Sequence, residues 1–323
     1  MQRAMELFRL FAMLLAVGCM IVSLLGVGGA VSPRLDILNH FAPITLALSV
    51  IAAAIQVAFW KTRETPTLVC AVVATLITAG TMSPEVVAKV AQSRSAPRRQ
   101  TIEVVELNLW SENVDPVATA RWLAAQRADV VVLEEVIANS AVVPELVKAI
   151  YPYRTDCDPM IPCTTVILSR KRQTAGGAFP GPDSGGLHSA AWATFGQGTG
   201  AFTVVGVHAP WPRPKDNQQA QTALLASRLD GFDRNSLIVA GDFNSTPWSF
   251  SLRRQDAWFG LERRTRALFT FPVRTYSRYR LHSPFPLLPL DHIYAGADWK
   301  TVRVTRGERV GSDHLPTVAI LTR

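Results

Sequence analysis

The chain has 323 residues, 48% of them hydrophobic, and a formal net charge of +8. That length allows one large domain plus an accessory region. The first 100 residues hold nine Lys/Arg against four Asp/Glu, and the remaining 223 hold 24 against 21. The basic excess therefore flanks apolar segments, which argues against an extended nucleic-acid-binding surface and for membrane-flanking charge.

Residues 10–31, "LFAMLLAVGCMIVSLLGVGGAV", form an uncharged run of 22 residues. A span needs roughly 20 apolar residues. The small residues of "GVGGA" would suit a cleaved signal peptide, but a second uncharged run follows at 37–60 and a shorter one at 66–82. The expectation is an anchor of about three transmembrane helices over 1–82, then a polar, basic linker over 83–100. With the N-terminus inside, Arg3, Arg9, Lys61 and Arg63 are cytoplasmic and the large C-terminal part is outside. Lys89, Arg94, Arg98 and Arg99 oppose that orientation. Cys157 and Cys163, in the polar stretch "DCDPMIPC", favour it if they form a disulfide, and no zinc-ligand partners stand nearby. Cys19 and Cys70 lie in the apolar runs and read as small buried hydrophobes.

From residue 101 the period changes. "TIEVVELNLW" (101–110) alternates and is β-branched, and so predicts a strand. A helix is expected over 114–128, with Val117, Ala120, Leu123 and Ala124 on one face. "DVVVLEEV" (129–136) reads as a buried strand and "PELVKAI" (144–150) as a short helix. Strands are expected at 164–170, 188–195 and 201–211, then a helix at 215–229 with Ala220, Ala223 and Leu224 together. Further strands are expected at 236–244, 289–296, 301–306 and 316–323. Many strands and few helices imply an α/β (α+β) fold of two sheets packed face to face with helices outside.

The polar residues that close these strands form a pattern. Asn108 ends the first, Glu134 and Glu135 the second, and His208 a later one. Asp242 and Asn244 follow in "GDFN", Asp291 and His292 in "LDHIY", and Ser312, Asp313 and His314 in "SDHLP". Each alone is as easily a turn residue, a satisfied histidine or a strand-end ion pair. Together they place Asn, Asp, Glu and His at one strand end after another, where sites are built.

In order and in kind, "LNLW", "DVVVLEEV", "GVHAP", "GDFN", "LDHIY" and "SDHLP" resemble the motifs of the endonuclease/exonuclease/phosphatase superfamily. The resemblance covers residues 101–323 and implies a DNase-like four-layer sandwich of two mixed sheets. It implies a metal-dependent hydrolase of phosphoesters or phosphoanhydrides, with Mg2+ as cofactor and Mn2+ as the alternative. Glu135 and Asn108 would hold the metal, with Asp313 adding a contact or assisting the leaving group. Asp242 would orient or deprotonate water, and Asn244 would donate to a phosphate oxygen. His314, held by Asp291, and His208 would contact phosphate. The family usually has Gln where this chain has Glu134, which implies added negative charge or a side chain turned away. Arg213, Lys215, Arg278 and Arg280 are candidate substrate-binding cations, with a solvated loop as the equally plain reading.

Three spans followed by this domain also resemble bacterial membrane proteins of the VanJ type. That implies a multi-pass protein of the bacterial cell membrane, in contact with the lipid bilayer and facing outside. Its substrate would be a phosphorylated lipid such as undecaprenyl pyrophosphate or another phosphoester. An anchored nuclease, for which the near-neutral soluble part is a poor fit, and a non-enzymatic binding module are the alternatives. No feature of the sequence specifies an oligomeric state.

Overall fold

Alternating strands put every second side chain on one face, and a second sheet is one way to cover that face. The computed structural model describes residues 2–58, 65–97, 100–156, 164–179, 190–213, 217–273 and 283–323. Residues Gln92–Ser245 and Arg254–Arg323 form one compact unit, and within it lie two six-stranded sheets. The first runs β11 (Lys300–Arg306), β12 (Thr317–Thr322), β1 (Thr101–Asn108), β2 (Val130–Glu134), β4 (Val166–Ser169) and β3 (Tyr153–Asp156). The second runs β5 (Ala175–Phe179), β6 (Ala190–Phe195), β7 (Phe202–His208), β8 (Ile238–Asp242), β10 (Asp291–Ala295) and β9 (Glu262–Arg263).

Each sheet centres on one parallel pair, β1–β2 and β7–β8, with antiparallel strands on either side. A parallel pair needs a long crossover. Helix α5 (Pro116–Gln126) lies in the first and helix α7 (Gln218–Leu229) in the second. Between the sheets, Ile102 and Val104 of β1 and Val130 and Val132 of β2 meet Val204, Ile238, Ala240 and Ile293. On the other face of the first sheet, Val105, Leu107, Val131 and Leu133 pack with Ala120 and Leu123 of α5. Val143 and Val147, at the ends of the one-turn helix α6 (Val143–Leu146), join them.

Several elements differ from the expected ones. Asp115 caps α5 by accepting from the Ala118 N–H at 2.8 Å, and the helix buries Thr119, Ala120 and Leu123 while Val117 stays 55% exposed. On α7 the buried face is Gln218, Thr222, Ala226 and Leu229, whereas Ala220 and Ala223 face out. The Gln218 amide sets that roll by donating to the Pro210 and Phe243 carbonyls at 2.8 and 3.2 Å. Strands β3, β5 and β9 were not expected from the sequence, being short edge strands with little alternation. Helix α8 (Phe250–Phe259) was not expected either, since "FSLRRQDAWF" has no apolar stripe.

Residues Met1–Ala91 and Thr246–Arg253 form the other compact unit. It contains α1 (Gln2–Val27), the one-turn α2 (Pro33–Asp36), α3 (Ala42–Ala58) and α4 (Thr65–Ala91). Its interior is small and polar. Ala16, Ala52 and Ala71 meet at the centre, Ser23 pairs with Thr78 at 2.9 Å, and Thr75 donates to Ser49 at 3.0 Å. Leu7, Leu10, Phe11, Leu14, Leu24, Ile51 and Leu76 point outward. Small residues inside and large aliphatic ones outside is the pattern of helices that pack in lipid. Glu6–Ala30, Pro33–Ala58 and Thr65–Ala91 are long and apolar enough to cross a membrane. The linker expected from residue 83 begins later, because α4 continues through Pro84 to Ala91. Proline cannot donate to the carbonyl of residue 80, and the Ser83 hydroxyl does so instead, at 3.0 Å.

Gly241 shows how tightly the parallel pair β7–β8 is built. A Cβ there would sit 1.8 Å from the Val207 carbonyl oxygen, at φ +156°. Gly241→Ala is expected to destabilise the folded chain by about 3 kcal/mol. Gly200→Ala, where a Cβ meets nothing within 4 Å, should change stability by less than about 0.5 kcal/mol. Thermal or denaturant unfolding of the purified variants checks both.

Candidate active site

The alternation that fills the core also builds the site. On β1 the inward positions after Ile102 and Val104 are Glu106 and Asn108, and on β2 the one after Val130 and Val132 is Glu134. On β8 the position after Ile238 and Ala240 is Asp242. Register brings them together. Asn108 stands opposite Glu134, His208 opposite Asp242, and Asp242 opposite Asp291, the first residue of the antiparallel β10. The inner layer is thus apolar along most of its length and polar at one end.

There the side chains converge. The Asn108 amide donates to Glu135 Oε1 and to Asp242 Oδ2, both at 3.1 Å. Its carbonyl oxygen accepts from the Trp110 N–H at 2.9 Å, so its orientation is fixed. Glu135 follows β2 with φ +52°, a left-handed conformation uncommon outside glycine. The Ser111 N–H donates to its Oε2 at 2.9 Å, and the Ser140 hydroxyl to its backbone carbonyl. His208 Nε2 lies 3.9 Å from Glu135 Oε1 and 3.8 Å from Asp242 Oδ2. His314 Nδ1 pairs with Asp291 at 2.9 Å, and its Nε2 faces Asp242 Oδ2 at 3.9 Å. The loop carrying His314 is tied to β1 by the Ser312 hydroxyl, which donates to the Asn108 carbonyl at 2.6 Å and accepts from the His314 N–H at 3.0 Å.

Asn244, at φ +48°, donates its backbone N–H to Asp242 Oδ1 at 2.8 Å. Its amide donates to the Ala209 carbonyl at 3.0 Å and to Asp242 Oδ2 at 3.2 Å. As described, this residue orients Asp242 and ties the β8 loop to the β7 loop. Gln218 adds a second tie, and the Ser245 hydroxyl donates to it at 3.2 Å. His292, beside Asp291 in the chain, turns away from the site and bonds the Ser245 carbonyl at 2.9 Å.

Charge is distributed unevenly over this buried cluster. Burial raises Asp242 to about 7, against the pull of His314 and of the Asn244 and Asn108 hydrogen bonds. Burial also raises Asp313, to about 6. Burial opposes the charge of His314 too, but Asp291, hydrogen-bonded to it, outweighs this and holds the imidazole well above its ordinary range. Burial would likewise raise Asp291, and the same partner brings it below the ordinary range. Burial lowers His208. For Glu135, His208 and the Ser111 and Asn108 donors overcome burial and lower it. Glu106 and Glu134 are pushed well above the carboxylate range, by burial first and then by Asp291. The upward shift of Glu134 favours its neutral form, which resembles Gln in charge.

Two sets of donors fit a divalent cation. Ligand atoms of Asp242, Asp291 and His314 lie within 4.8 Å of one another, but Asp291 and His314 already satisfy each other. Glu135 offers hard carboxylate oxygens beside Asn108, whose NH2 faces it and whose side-chain oxygen accepts from the Trp110 N–H, and the Glu135 side chain is 27% exposed to solvent, which suits an ion that keeps several waters. Asp313 interacts electrostatically with Glu135 and Asp242. Of the candidate substrate-binding cations, Arg213 is exposed. Lys215, Arg278 and Arg280 lie outside the described residues, as do Cys157 and Cys163. Sequence reasoning missed the aromatic edge of the site. The Phe271 ring packs 4.7 Å from that of His314, and Trp211, 45% exposed, meets Phe271 edge-on at 6.1 Å.

Comparison with known proteins places this arrangement. Curated proteins give no match. The fold is similar to that of an endonuclease/exonuclease/phosphatase from Beutenbergia cavernae, at 23% identity, covering 69% of this chain and 72% of that one, with a TM-score of 0.54. It is similar to sphingomyelinase C from Streptomyces griseocarneus, at 19% identity, covering 69% of this chain and 100% of that one, with a TM-score of 0.53. It is also similar to a variant of beta toxin from Staphylococcus aureus solved with bound magnesium ions, at 13% identity over 69% and 100% of the two chains, with a TM-score of 0.51. At such identities the likeness is one of fold. The sequence profile of the Endonuclease/Exonuclease/phosphatase family matches residues 105–314, a stretch that begins in β1 and ends at His314, and the chain belongs to that family of phosphoester-hydrolysing enzymes.

Proposed function

We propose that this chain is a membrane-anchored, divalent-metal-dependent hydrolase that cleaves a lipid-linked phosphate or pyrophosphate outside the cell membrane. The observation that carries the hydrolytic part is the meeting of Asn108, Glu135, His208, Asp242 and the Asp291–His314 pair at one end of the sandwich. Magnesium, with Asn108 and Glu135 as its holders and Asp313 as a further contact, would neutralise phosphate charge. Asp242, raised to about 7, is poised near neutral pH to take a proton from the attacking water. His314, kept protonated by Asp291, donates to a phosphate oxygen as negative charge develops. His208 contacts the same group from the other side of Asp242. Asn108 and Asn244 hold the Asp242 carboxylate in place throughout.

The lipid-linked substrate rests on the helical unit and on charge. Three apolar helices with outward-facing aliphatic side chains would keep the site near membrane substrates and raise their effective concentration. The near-neutral charge of residues 101–323 gives little of the phosphate neutralisation on which nucleic-acid binding depends. The layout resembles that of VanJ-type membrane proteins, which supports a cell-envelope lipid.

Detergent-purified full-length protein with Mg2+ should release phosphate from undecaprenyl pyrophosphate and leave duplex DNA intact on a gel. Glu135→Ala and Asp242→Asn should each lower kcat by about 10²–10⁴-fold. DNA cleavage without action on the lipid would make the protein an anchored nuclease. Binding of phosphate compounds with no turnover in any variant would make it a binding module. For orientation, a C-terminal alkaline phosphatase fusion should be active in cells, and the corresponding green fluorescent protein fusion dark.

A further inference from the structure

The segment that follows the catalytic strand belongs to the helical unit. Residues Thr246–Arg253 group with Met1–Ala91, and two peptide bonds separate Asn244 from Thr246. Inside that unit the segment is gripped by the turn between α1 and α3. Asp36 accepts from the Phe250 and Ser251 N–H groups at 2.8 and 2.7 Å. These are amides of the first turn of α8, which have no partner within their own helix, and a carboxylate also suits the positive end of a helix. His40 Nδ1 meets the Thr246 N–H at 3.3 Å and its hydroxyl at 3.1 Å. Accepting from a backbone N–H places the ring proton on Nε2. The Trp248 indole N–H reaches the His40 carbonyl at 3.4 Å.

The turn is built for this grip. Asn39 donates to Asp36 Oδ1 and to the Gly26 carbonyl, both at 2.9 Å. A Cβ at Gly29 would lie 2.7 Å from Asp36 Cα, so a glycine is required for the turn to close. Asp36, Asn39, His40 and Thr246 are all buried. An ionisable pair buried in apolar helices is costly and points to function. The helices are also held by Ser23–Thr78, Thr75–Ser49 and the alanine contacts.

We propose that Asp36 and His40 are positioning residues for the hydrolytic site, acting through the chain from Thr246 back to Asn244 and Asp242. Two residues span at most about 7 Å, too little slack to absorb a shift of Thr246. Asn244 sits in the left-handed region with its amide committed to Asp242, so displacement at Thr246 reaches that carboxylate. The inference rests on the hydrolase reading above, and its test has an arm that does not.

Full-length protein in detergent with Mg2+ would be assayed on undecaprenyl pyrophosphate, with Glu135→Ala as the inactive reference. Asp36→Ala and His40→Leu should lower kcat on the order of 10- to 100-fold, with KM within about twofold. His40→Asn, which keeps an acceptor toward the Thr246 N–H, should restore kcat to within about threefold of the parent. In parallel, hydrogen–deuterium exchange should rise in both damaging variants across residues 242–251, including Asn244, while α1 and α4 stay protected. If the unmodified chain hydrolyses nothing, the hydrolase reading fails and exchange alone decides the positioning role. Exchange that rises over 247–253 and stops short of Asn244, or a kcat unchanged in Asp36→Ala and His40→Leu, would overturn the proposal. If one variant fails to fold, the other carries both readouts.

Discussion

Five carboxyl groups, Glu106, Glu134, Glu135, Asp242 and Asp291, crowd the end of an apolar sandwich with two imidazoles for company. Unpaired buried charge is among the most expensive things a fold can contain. The molecule meets that constraint by shifting these groups in opposite directions. The bond to His314 brings Asp291 below its ordinary range, burial and the neighbouring Asp291 push Glu106 and Glu134 well above theirs, and Asp242 is raised to about 7. Asymmetry of this kind is what separates acid from base in a hydrolytic site. Three donors from backbone and side chain then aim Asp242, so its orientation does not depend on substrate.

Much of this was legible in the sequence, for a definite reason. Where an apolar alternation ends in Asn, Glu, His or Asp, the same periodicity that fills a core predicts a polar cap at the strand end, and Asn108, His208 and Asp242 obey it, while Asp291 opens the antiparallel β10 at the same end of the sheet. Glu106 was not legible. In "EVVELN" it reads like the solvent face of a half-buried strand, yet it shares the inner face with Asn108. Gln218 escaped notice because its role depends on which way α7 is rolled, and two alanines offered an equally good apolar face. Asp36 stands in the short polar break before the second apolar run, and His40 lies within that run. Only the three-dimensional structure shows that their partners lie more than two hundred residues later in the chain.

The two units follow opposite packing rules with the same residue types. Between the sheets, away from the polar end, valines, isoleucines and aromatic residues are inside. Among the helices, alanine, serine and threonine are inside and leucines are outside. Water drives the first arrangement. The second makes sense where the surroundings are as apolar as leucine itself. Within α4, Pro84 leaves the Gly80 carbonyl without its helical donor, and the neighbouring Ser83 hydroxyl satisfies it.

The inward run of β1, Ile102, Val104, Glu106, Asn108, has a bearing on how such a chain can vary. Core and chemistry are written in the same two-residue frame. A single residue inserted or deleted within β1 would exchange Glu106 and Asn108 for Val105 and Leu107, turning the polar pair into the hydrophobic layer beneath α5 and aliphatic groups into the site. The same holds for β8 around Asp242. Length changes in this lineage should therefore be absent from the cores of these two strands and collect in the connections.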